Sequence, residues 1–282
     1  MQLSFKFTRV GDLVQRKRFS LESLSSLVEL VFRRNQIVNY QWTEFPLIAH
    51  AGGGIDGYEY TNSMEALINS YKNGFKLFEL DLSLTSDGYL VARHGWDENY
   101  GQNFLTENGP PTYEQFINSP YYSQYTPIDF QFILKFLKKH RDTFIILDGK
   151  VRSPEDTKIL YEKIGLLTNN LSARIKKRII PQMFYEQDLE IIRQYGFHDV
   201  LYVVGREEYT PASLAEFCDA NDIRAVSLSP YRVNSEMIHA LKEKGIKIYV
   251  YTINDVEKMT MYFDMGVDGF FTDFIIPADL SN

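Results

Sequence analysis

Charged side chains recur at every second position in two apolar segments of this chain. Glu79 and Asp81 interrupt one segment, and Asp148 and Lys150 follow the apolar run 144–147. Because side chains alternate between the two faces of a strand, each pair should point to one face. An isolated pair often only caps the following helix, but burying two carboxylates together is unfavourable unless a cation or a proton compensates them. Two such pairs on neighbouring strands therefore predict a charged cluster.

The composition of this cluster indicates which cation it would bind. Its three carboxylates, Glu79, Asp81 and Asp148, offer only oxygen ligands, and the chain has a single cysteine. Oxygen-rich sites suit Mg²⁺ or Ca²⁺ better than metals that prefer thiolates. We therefore expect one divalent cation, Mg²⁺ or Ca²⁺. Lys150 would be a fixed positive charge beside it, suited to a developing phosphoryl anion.

Two of the five histidines end apolar runs that lead into the same region. His50 follows the run 47–49, and His94 follows the run 89–93. A single histidine at the end of a strand is more often structural than catalytic. Two of them beside a carboxylate cluster could act as general acid and general base near neutral pH. The other three lie in lysine-rich or polar helical segments, which favours a solvated or structural role.

Short strand-like runs alternate with helical segments over most of the chain. Eight β-branched or aromatic runs can be counted, and a ninth, at 89–94, follows a Ser-Asp-Gly turn signal that predicts a strand folding back beside the second one. Eight strands separated mostly by helices are typical of an α/β fold, the (β/α)8 TIM barrel, which usually needs about 250 residues. The eight runs are 47–50, 76–82, 144–148, 178–184, 200–204, 224–228, 247–252 and 268–272.

An insertion without a clear period, residues 95–125, follows the second strand and its folded-back partner. It is rich in glycine, proline, asparagine and aromatic residues. In a barrel enzyme, such a segment often overhangs the active site. A packed surface excursion that does not contact substrate is the alternative. We expect the barrel to comprise residues 46–282, preceded by a short helical extension, residues 1–45.

The N-terminal extension differs in charge from the rest of the chain. Of the 30 basic and 37 acidic residues, it holds seven and four (+3), so the remainder holds 23 and 33 (−10). Apolar residues recur at helical spacing from Leu21 to Val31, after Ser20 as an N-cap. The basic flanks of this amphipathic helix could favour peripheral membrane contact through residues 16–34. A helix that closes the bottom of the barrel would show the same pattern, and we prefer that interpretation.

Charge and composition exclude several classes of protein. The net charge of −7 argues against nucleic acid as a partner, because affinity for a polyanion comes mostly from Lys and Arg. The first thirty residues contain neither a secretory signal nor an apolar span of about 20 residues, so we expect a cytoplasmic protein. Cys218 has no second cysteine with which to form an internal disulfide.

The order of these residues resembles the signature of the glycerophosphodiester phosphodiesterases, and the similarity covers residues 46–277. It implies a TIM barrel in which His50 and His94 are the acid–base pair and Lys150 is the cation beside the phosphate. By similarity to the related sphingomyelinase D phospholipases, His94 would be the acid and His50 the base. The implied metal ligands are Glu79, Asp81 and Asp148, and the implied substrate-binding residues are Asn62, Gln182 and Tyr251. The matching segments are HAGG at 50–53, NS at 62–63, ELD at 79–81, TSDG at 85–88, TPI at 126–128, DGK at 148–150, PQ at 181–182, YVYTIND at 249–255 and MGVDGFFTD at 265–273.

Three positions depart from the family pattern. Ala51 stands where arginine is usual, which removes a bidentate phosphate contact. Gly95 stands where aspartate usually follows the second histidine. Asp148 replaces the more usual glutamate, and this Asp-x-Lys form is similar to the sphingomyelinase D enzymes. The glycines 52–54 could offer backbone N–H groups to a phosphate instead, although they are equally a plain flexible loop.

The resemblance implies a metal-dependent phosphodiesterase that hydrolyses small glycerophosphodiesters to an alcohol and glycerol phosphate. One alternative is a phospholipase D-like or phosphoinositide phospholipase C-like enzyme of the same barrel type that acts on lipid. The other is a non-catalytic protein that binds a phosphate or a sugar phosphate. The costly buried charges argue against the last interpretation, because a site without activity has no physical reason to keep them.

Overall fold

The computed structural model describes residues 41–102, 104, 109–151 and 153–280. The strands in this part of the chain are β1 (Leu47–Ala49), β2 (Leu77–Leu84), β3 (Leu90–Ala92), β4 (Phe144–Gly149), β5 (Ile179–Met183), β6 (Leu201–Val204), β7 (Ala225–Leu228), β8 (Lys247–Val250) and β9 (Gly269–Thr272). They form one sheet in the order β1-β9-β8-β7-β6-β5-β4-β2-β3. An additional parallel pairing of β1 with β2 closes eight of them into a barrel.

The eight barrel strands run parallel, whereas β3 pairs antiparallel with the last residues of β2. This arrangement confirms the predicted (β/α)8 TIM barrel and the strand that folds back beside the second one. The helices are α1 (Met64–Lys72), α2 (Tyr113–Ile117), α3 (Phe130–Lys139), α4 (Pro154–Thr168), α5 (Ala173–Lys176), α6 (Asp188–Gln194), α7 (Pro211–Ala220), α8 (Ser235–Glu243) and α9 (Val256–Met265).

Polar N-caps determine where the longer helices begin. Six of them start after a residue whose side chain accepts a hydrogen bond from a backbone N–H of the first turn, which satisfies a donor that the helix itself leaves unpaired. These residues are Ser63, Asp129, Ser153, Thr210, Asn234 and Asp255. These six helices therefore begin where a polar side chain caps the first turn.

The interior of the barrel changes polarity along its axis. Near the amino ends of the strands it is apolar, and its members include Trp42, Ile48, Leu77, Phe144, Ile146, Ile180, Leu201, Ala225, Tyr249 and Phe271. Toward the carboxyl ends, the residues that point to the same face of these strands are polar. They are Glu79, Asp81, Asp148, Gln182 and Ser227. Period-two alternation therefore directs the polar side chains of several strands into one end of the barrel.

The insertion after β3 packs around a buried arginine. The guanidinium group of Arg93, which is 1% exposed, donates to the backbone carbonyl of Glu98 and to the side chain of Gln102. It lies 5.1 to 5.8 Å from the ring centroids of Trp96, Tyr100, Phe104 and Tyr121. Aromatic and cation–π packing therefore holds this segment together, and such packing leaves no regular period in a sequence.

The described residues begin at Gln41, so the predicted amphipathic helix and its membrane contact through residues 16–34 lie outside them. Trp42 stacks against Tyr249, and the Tyr249 hydroxyl donates to the carbonyl of Phe45 at 3.0 Å. Packing of the barrel therefore begins slightly before the predicted boundary at residue 46. Within the described ranges, we find no helix that combines the length and the apolar character needed to cross a membrane.

Candidate active site

Three carboxylates meet at the carboxyl ends of β2 and β4. Asp81 lies opposite Asp148 in the pairing of these strands, and one oxygen of each lies within 4.8 Å of one from Glu79. Oε1 of Glu79 and Oδ1 of Asp148 are buried and have no hydrogen-bond partner among the described residues. Buried carboxylate oxygens without a donor, in an all-oxygen set, fit a divalent cation such as Mg²⁺ or Ca²⁺.

The electrostatics of the cluster show how strongly it requires positive charge. Burial and the charge of Asp81 raise the pKa of Glu79 well above its usual value. Burial also opposes ionisation of Asp81, but the charges of Lys150, His94 and His50 together lower the pKa of that carboxyl. Lys150 Nζ lies 2.6 Å from Asp81 Oδ1 and 2.5 Å from Asp148 Oδ2. The lysine therefore balances only part of the negative charge.

His50 lies at the end of β1 and is held from the last strand of the barrel. Its Nδ1 is 2.8 Å from Oδ1 of Asp273, and Asp273 Oδ2 accepts a hydrogen bond from Asn254 Nδ2 at 2.7 Å. Burial lowers the pKa of His50, but the hydrogen bond to Asp273 and the charges of Glu79, Asp273 and Asp81 together raise the pKa to about 9. With Nδ1 engaged, Nε2 is the nitrogen available to a substrate.

His94 follows β3 and is held from the insertion. Its Nδ1 lies 3.1 Å from the hydroxyl of Tyr100, and that hydroxyl donates to Oε2 of Glu98 at 2.7 Å. The ring of Tyr60 stands edge-on between the two histidines, with its centroid 4.7 Å from that of His50 and 4.9 Å from that of His94. The two imidazoles thus flank one aromatic side chain beside the carboxylates.

Asn62 binds the acidic cluster rather than presenting a free amide. Its Nδ2 donates to Asp81 Oδ2 at 2.7 Å, and its Oδ1 accepts from the backbone N–H of Asp81 at 3.0 Å. The remaining amide hydrogen points to the carbonyl of Tyr60, at 3.4 Å. With these contacts and a fully buried side chain, Asn62 fixes the orientation of the Asp81 carboxylate.

Two glycines in the loop after His50 use their backbone N–H groups within the protein. Gly53 N–H donates to the carbonyl of His50, and Gly54 N–H donates to the carbonyl of Asp273, both at 2.7 Å. Gly53 has a φ of 95°, and a Cβ at this position would collide with Oγ of Ser70. These two N–H groups are therefore not available to a phosphate, and the glycines serve the close packing of the loop.

Gln182 and Tyr251 stand on the same end of the barrel as the cluster. Gln182, on β5, is 6% exposed. Tyr251 directly follows β8, is half-buried and packs edge-on against Phe271 at 6.2 Å. Their contact with a substrate stays a prediction.

A cavity of about 540 Å³ opens beside His94 and Lys150. Trp96 of the insertion and Ile159 of α4 contribute apolar surface to its wall, and Glu98 and Arg206 contribute charge. It has room for a small alcohol with an apolar portion. The insertion thus forms part of the wall of the cavity next to the cluster, as predicted for a segment that overhangs the site.

Four residues of this centre are not among those predicted from the sequence. Asp273 and Asn254 support His50, whereas Tyr60 and Tyr100 contact the histidines. Asp273 had a usable signal, because it follows the apolar strand β9 just as Asp148 ends β4. Tyr60 and Tyr100 had no such signal in the sequence, because the chain has 19 tyrosines and these two lie in loops without periodicity.

A barrel with carboxylates, a lysine and two histidines at one end is suited to phosphoryl transfer. Comparison with known proteins shows which family of such barrels the chain resembles. A sequence model of the glycerophosphoryl diester phosphodiesterase family matches residues 50–276. A glycerophosphodiester phosphodiesterase of Caldanaerobacter subterraneus is 26% identical over 251 residues, 80% of this chain and 93% of the relative. Another, of Arabidopsis thaliana, is 25% identical over 246 residues, 82% of this chain and 72% of the relative.

A solved structure shows the same fold. The phosphodiesterase of Oleispira antarctica, in complex with the product sn-glycerol-3-phosphate, superposes with a TM-score of 0.67 at 16% identity, over 84% of this chain and 95% of that one.

Because the family model matches most of its length, the chain belongs to the glycerophosphoryl diester phosphodiesterase family. It is accordingly a phosphoric diester hydrolase, and the resemblance inferred from the sequence is confirmed.

Proposed function

We propose that this chain hydrolyses glycerophosphodiesters to an alcohol and glycerol phosphate, with one divalent cation and with His50 and His94 as base and acid. The observation that carries the proposal is the convergence of three carboxylates, Lys150 and both histidines at one end of a barrel of this family. The relatives named above carry the same activity in their names.

The proposed cation ligands are Glu79, Asp81 and Asp148, with Mg²⁺ or Ca²⁺ as the ion. A bound cation supplies electrostatic stabilisation of charge that develops on the phosphoryl oxygens. Lys150 adds a positive charge that the protein itself holds in place through Asp81 and Asp148. Asn62 supports this arrangement as a positioning residue for Asp81, and we propose Gln182 and Tyr251 as substrate contacts.

The two histidines complete the proton balance of the proposed reaction. An oxygen of water, or of an adjacent substrate hydroxyl, attacks phosphorus, and the bond from phosphorus to the alcohol oxygen breaks. His50 accepts the proton of the attacking oxygen at Nε2, and His94 donates a proton to the departing alcohol oxygen. Where a substrate hydroxyl attacks, water then opens the cyclic phosphate. His94 is assigned the acid because it lines the cavity, which can receive the alcohol.

A lipid phosphodiesterase is the second candidate, because part of the cavity wall is apolar. Ile159, which is 56% exposed, and Trp96 would favour an alcohol that carries hydrocarbon. A phospholipase D-like or phosphoinositide phospholipase C-like reaction would use the same centre. The two candidates differ in the alcohol portion of the substrate rather than in the chemistry at phosphorus.

A substrate panel tests the proposed function. We expect turnover of glycerophosphocholine or a related soluble diester, with glycerol phosphate identified by mass spectrometry, and loss of turnover in excess chelator that Mg²⁺ or Ca²⁺ restores. Lysophospholipids and phosphoinositides in vesicles form the second arm. Exclusive turnover of the vesicle substrates would favour the lipid candidate. Absence of turnover in both arms, with the cation present, would contradict a hydrolytic function.

Cation binding should also change the titration of His50. The negative charges of Glu79 and Asp81 help to raise the pKa of His50 to about 9. A cation bound to those carboxylates offsets their charge and stabilises the neutral imidazole, so the pKa of His50 should fall when Mg²⁺ is added. NMR titration of the His50 Cε1–H resonance with and without Mg²⁺ measures this change. The resonance of His239, an exposed residue beside Glu243, serves as the control. An unchanged His50 titration at saturating Mg²⁺ would contradict binding at this cluster.

A further inference from the structure

The insertion contributes a hydrogen-bond chain that ends on one of the two histidines. Tyr100 stands in its middle: its hydroxyl donates to Glu98 Oε2 at 2.7 Å and lies 3.1 Å from Nδ1 of His94. Tyr100 is 6% exposed, whereas Glu98 reaches the protein surface. Burial and the hydrogen bond to Glu98 raise the pKa of Tyr100, so the phenol keeps its proton across the neutral range.

The direction of the first hydrogen bond determines that of the second. A carboxylate can only accept, so the single hydroxyl hydrogen of Tyr100 is used on Glu98. The hydroxyl oxygen is then left as an acceptor, and the contact with His94 requires a hydrogen on Nδ1. In the neutral imidazole this is the Nδ1–H tautomer, and Nε2 carries the lone pair. In the imidazolium, the same geometry leaves Nε2–H as the free donor.

The position of Tyr100 is itself fixed by the core of the insertion. The guanidinium of Arg93 lies 5.1 Å from the Tyr100 ring and donates to the backbone carbonyl of Glu98. The ring of Tyr100 also stacks with that of Tyr60, at a centroid distance of 6.1 Å. The buried guanidinium of Arg93 therefore holds both Tyr100 and Glu98 in place. Tyr100 in turn contacts His94 through its hydroxyl group.

The two histidines are thus supported in different ways. Asp273 binds Nδ1 of His50 directly, whereas Glu98 acts on His94 only through the neutral phenol of Tyr100. An ionised partner in direct contact stabilises an imidazolium strongly, and a neutral partner does so less. The support of His94 therefore orients its ring through a hydrogen bond, without a charged group in contact with Nδ1.

We propose that Tyr100 and Glu98 are positioning residues for His94, which hold its Nδ1–H tautomer and direct Nε2 toward the oxygen of the leaving alcohol. This inference rests on the proposed function for its kinetic consequences, but the tautomer of His94 can be measured without any substrate. A second observation supports this role. Gly95, which follows His94, has no side chain that could hold the imidazole, so the support must come from elsewhere.

Tyr100→Phe is the variant that tests the proposal. It removes the hydroxyl and keeps the ring that packs on Arg93 and Tyr60, so the insertion should stay folded. On a diester with a glycerol or choline leaving group we expect kcat to fall about 10- to 100-fold, the usual effect of removing a residue that orients a catalytic histidine, with KM little changed. On a nitrophenyl diester, whose leaving group needs no proton, the loss should be several-fold smaller.

The second readout is spectroscopic and independent of activity. In protein labelled with ¹⁵N-histidine, the wild-type His94 resonances should report the Nδ1–H tautomer, and Tyr100→Phe should shift them toward a mixture of both tautomers. Glu98→Gln replaces a carboxylate that can only accept with an amide that can also donate, so it should weaken the preference for the same tautomer. Tyr113→Phe is the matched control, because Tyr113 also donates from the insertion to a carboxylate, that of Asp129 at 3.0 Å, without a histidine contact.

The outcomes separate this proposal from the proposed function. A His94 tautomer that is the same in wild type and Tyr100→Phe, or equal kinetic losses in Tyr100→Phe and Tyr113→Phe, would overturn the positioning role. If the wild-type protein hydrolyses no diester, the proposed function fails, and the tautomer measurement still decides the role of Tyr100. A tautomer change together with the dependence on leaving group supports the proposal.

Discussion

Asp81→Asn is expected to lower kcat/KM on a glycerophosphodiester by about 10³-fold or more, since a cation at this site accounts for several kcal/mol of transition-state stabilisation. The substitution keeps the shape of the side chain and removes one charge from a buried cluster, so the fold should persist. Asp81 is the carboxylate that both Asn62 and Lys150 hold in place, so the substitution weakens the contact with Lys150 as well as removing a proposed ligand.

Thermal denaturation gives this prediction a readout besides activity. Mg²⁺ or Ca²⁺ at 100 times its dissociation constant should stabilise the wild-type protein by about 2.7 kcal/mol, and Asp81→Asn should lose that gain. Asp142→Asn is a suitable control, because Asp142 is a surface carboxylate that pairs with Lys76. Full activity in excess chelator, or an equal cation effect on the melting temperatures of both variants, would refute the metal site.

The second large effect concerns the two histidines and the leaving group. His94→Ala should lose roughly 10²- to 10⁴-fold in kcat on a natural diester, the usual contribution of a positioned acid, and far less on a nitrophenyl diester. An alkoxide needs a proton to leave, whereas a nitrophenolate does not. His50→Ala should lose activity on both substrates, because the attacking oxygen is the same in each.

The pair of substrates distinguishes the two roles. Equal losses for His94→Ala on the natural and the nitrophenyl diester would exclude it as the acid. The reverse pattern, with His50→Ala selectively rescued by the good leaving group, would exchange the roles of the two residues. His140→Ala, a change at a helix end outside the site, controls for the loss of an imidazole in general.

Much of the acidic cluster could be predicted because its members belong to two neighbouring strands. Glu79 and Asp81 share one strand, so alternation alone places them on one face. Asp148 and Lys150 share the end of another strand, and the structure sets Asp81 opposite Asp148. A parallel barrel brings the carboxyl ends of its strands together. Strand alternation and the closure of the barrel therefore place the same side chains in one cluster.

The supports of the histidines could not be predicted in the same way. His50 and Asp273 are 223 positions apart in sequence, and they meet only because β1 pairs with β9. Tyr100 meets His94 because aromatic rings pack around Arg93, an arrangement without periodicity. The hydrogen bond from the Asn62 amide to Asp81 could not be predicted either, because it depends on the path of a loop.

The sequence by itself determined the class of fold, the family and the proposed catalytic residues, because strand alternation and the order of motifs are local properties of a chain. Only the tertiary structure decided which nitrogen of each histidine contacts another side chain of the protein, and which residues hold the Asp81 carboxylate. Hydrogen-bond partners are set by distances of about 3 Å between segments far apart in sequence, and those distances exist only once the barrel has closed.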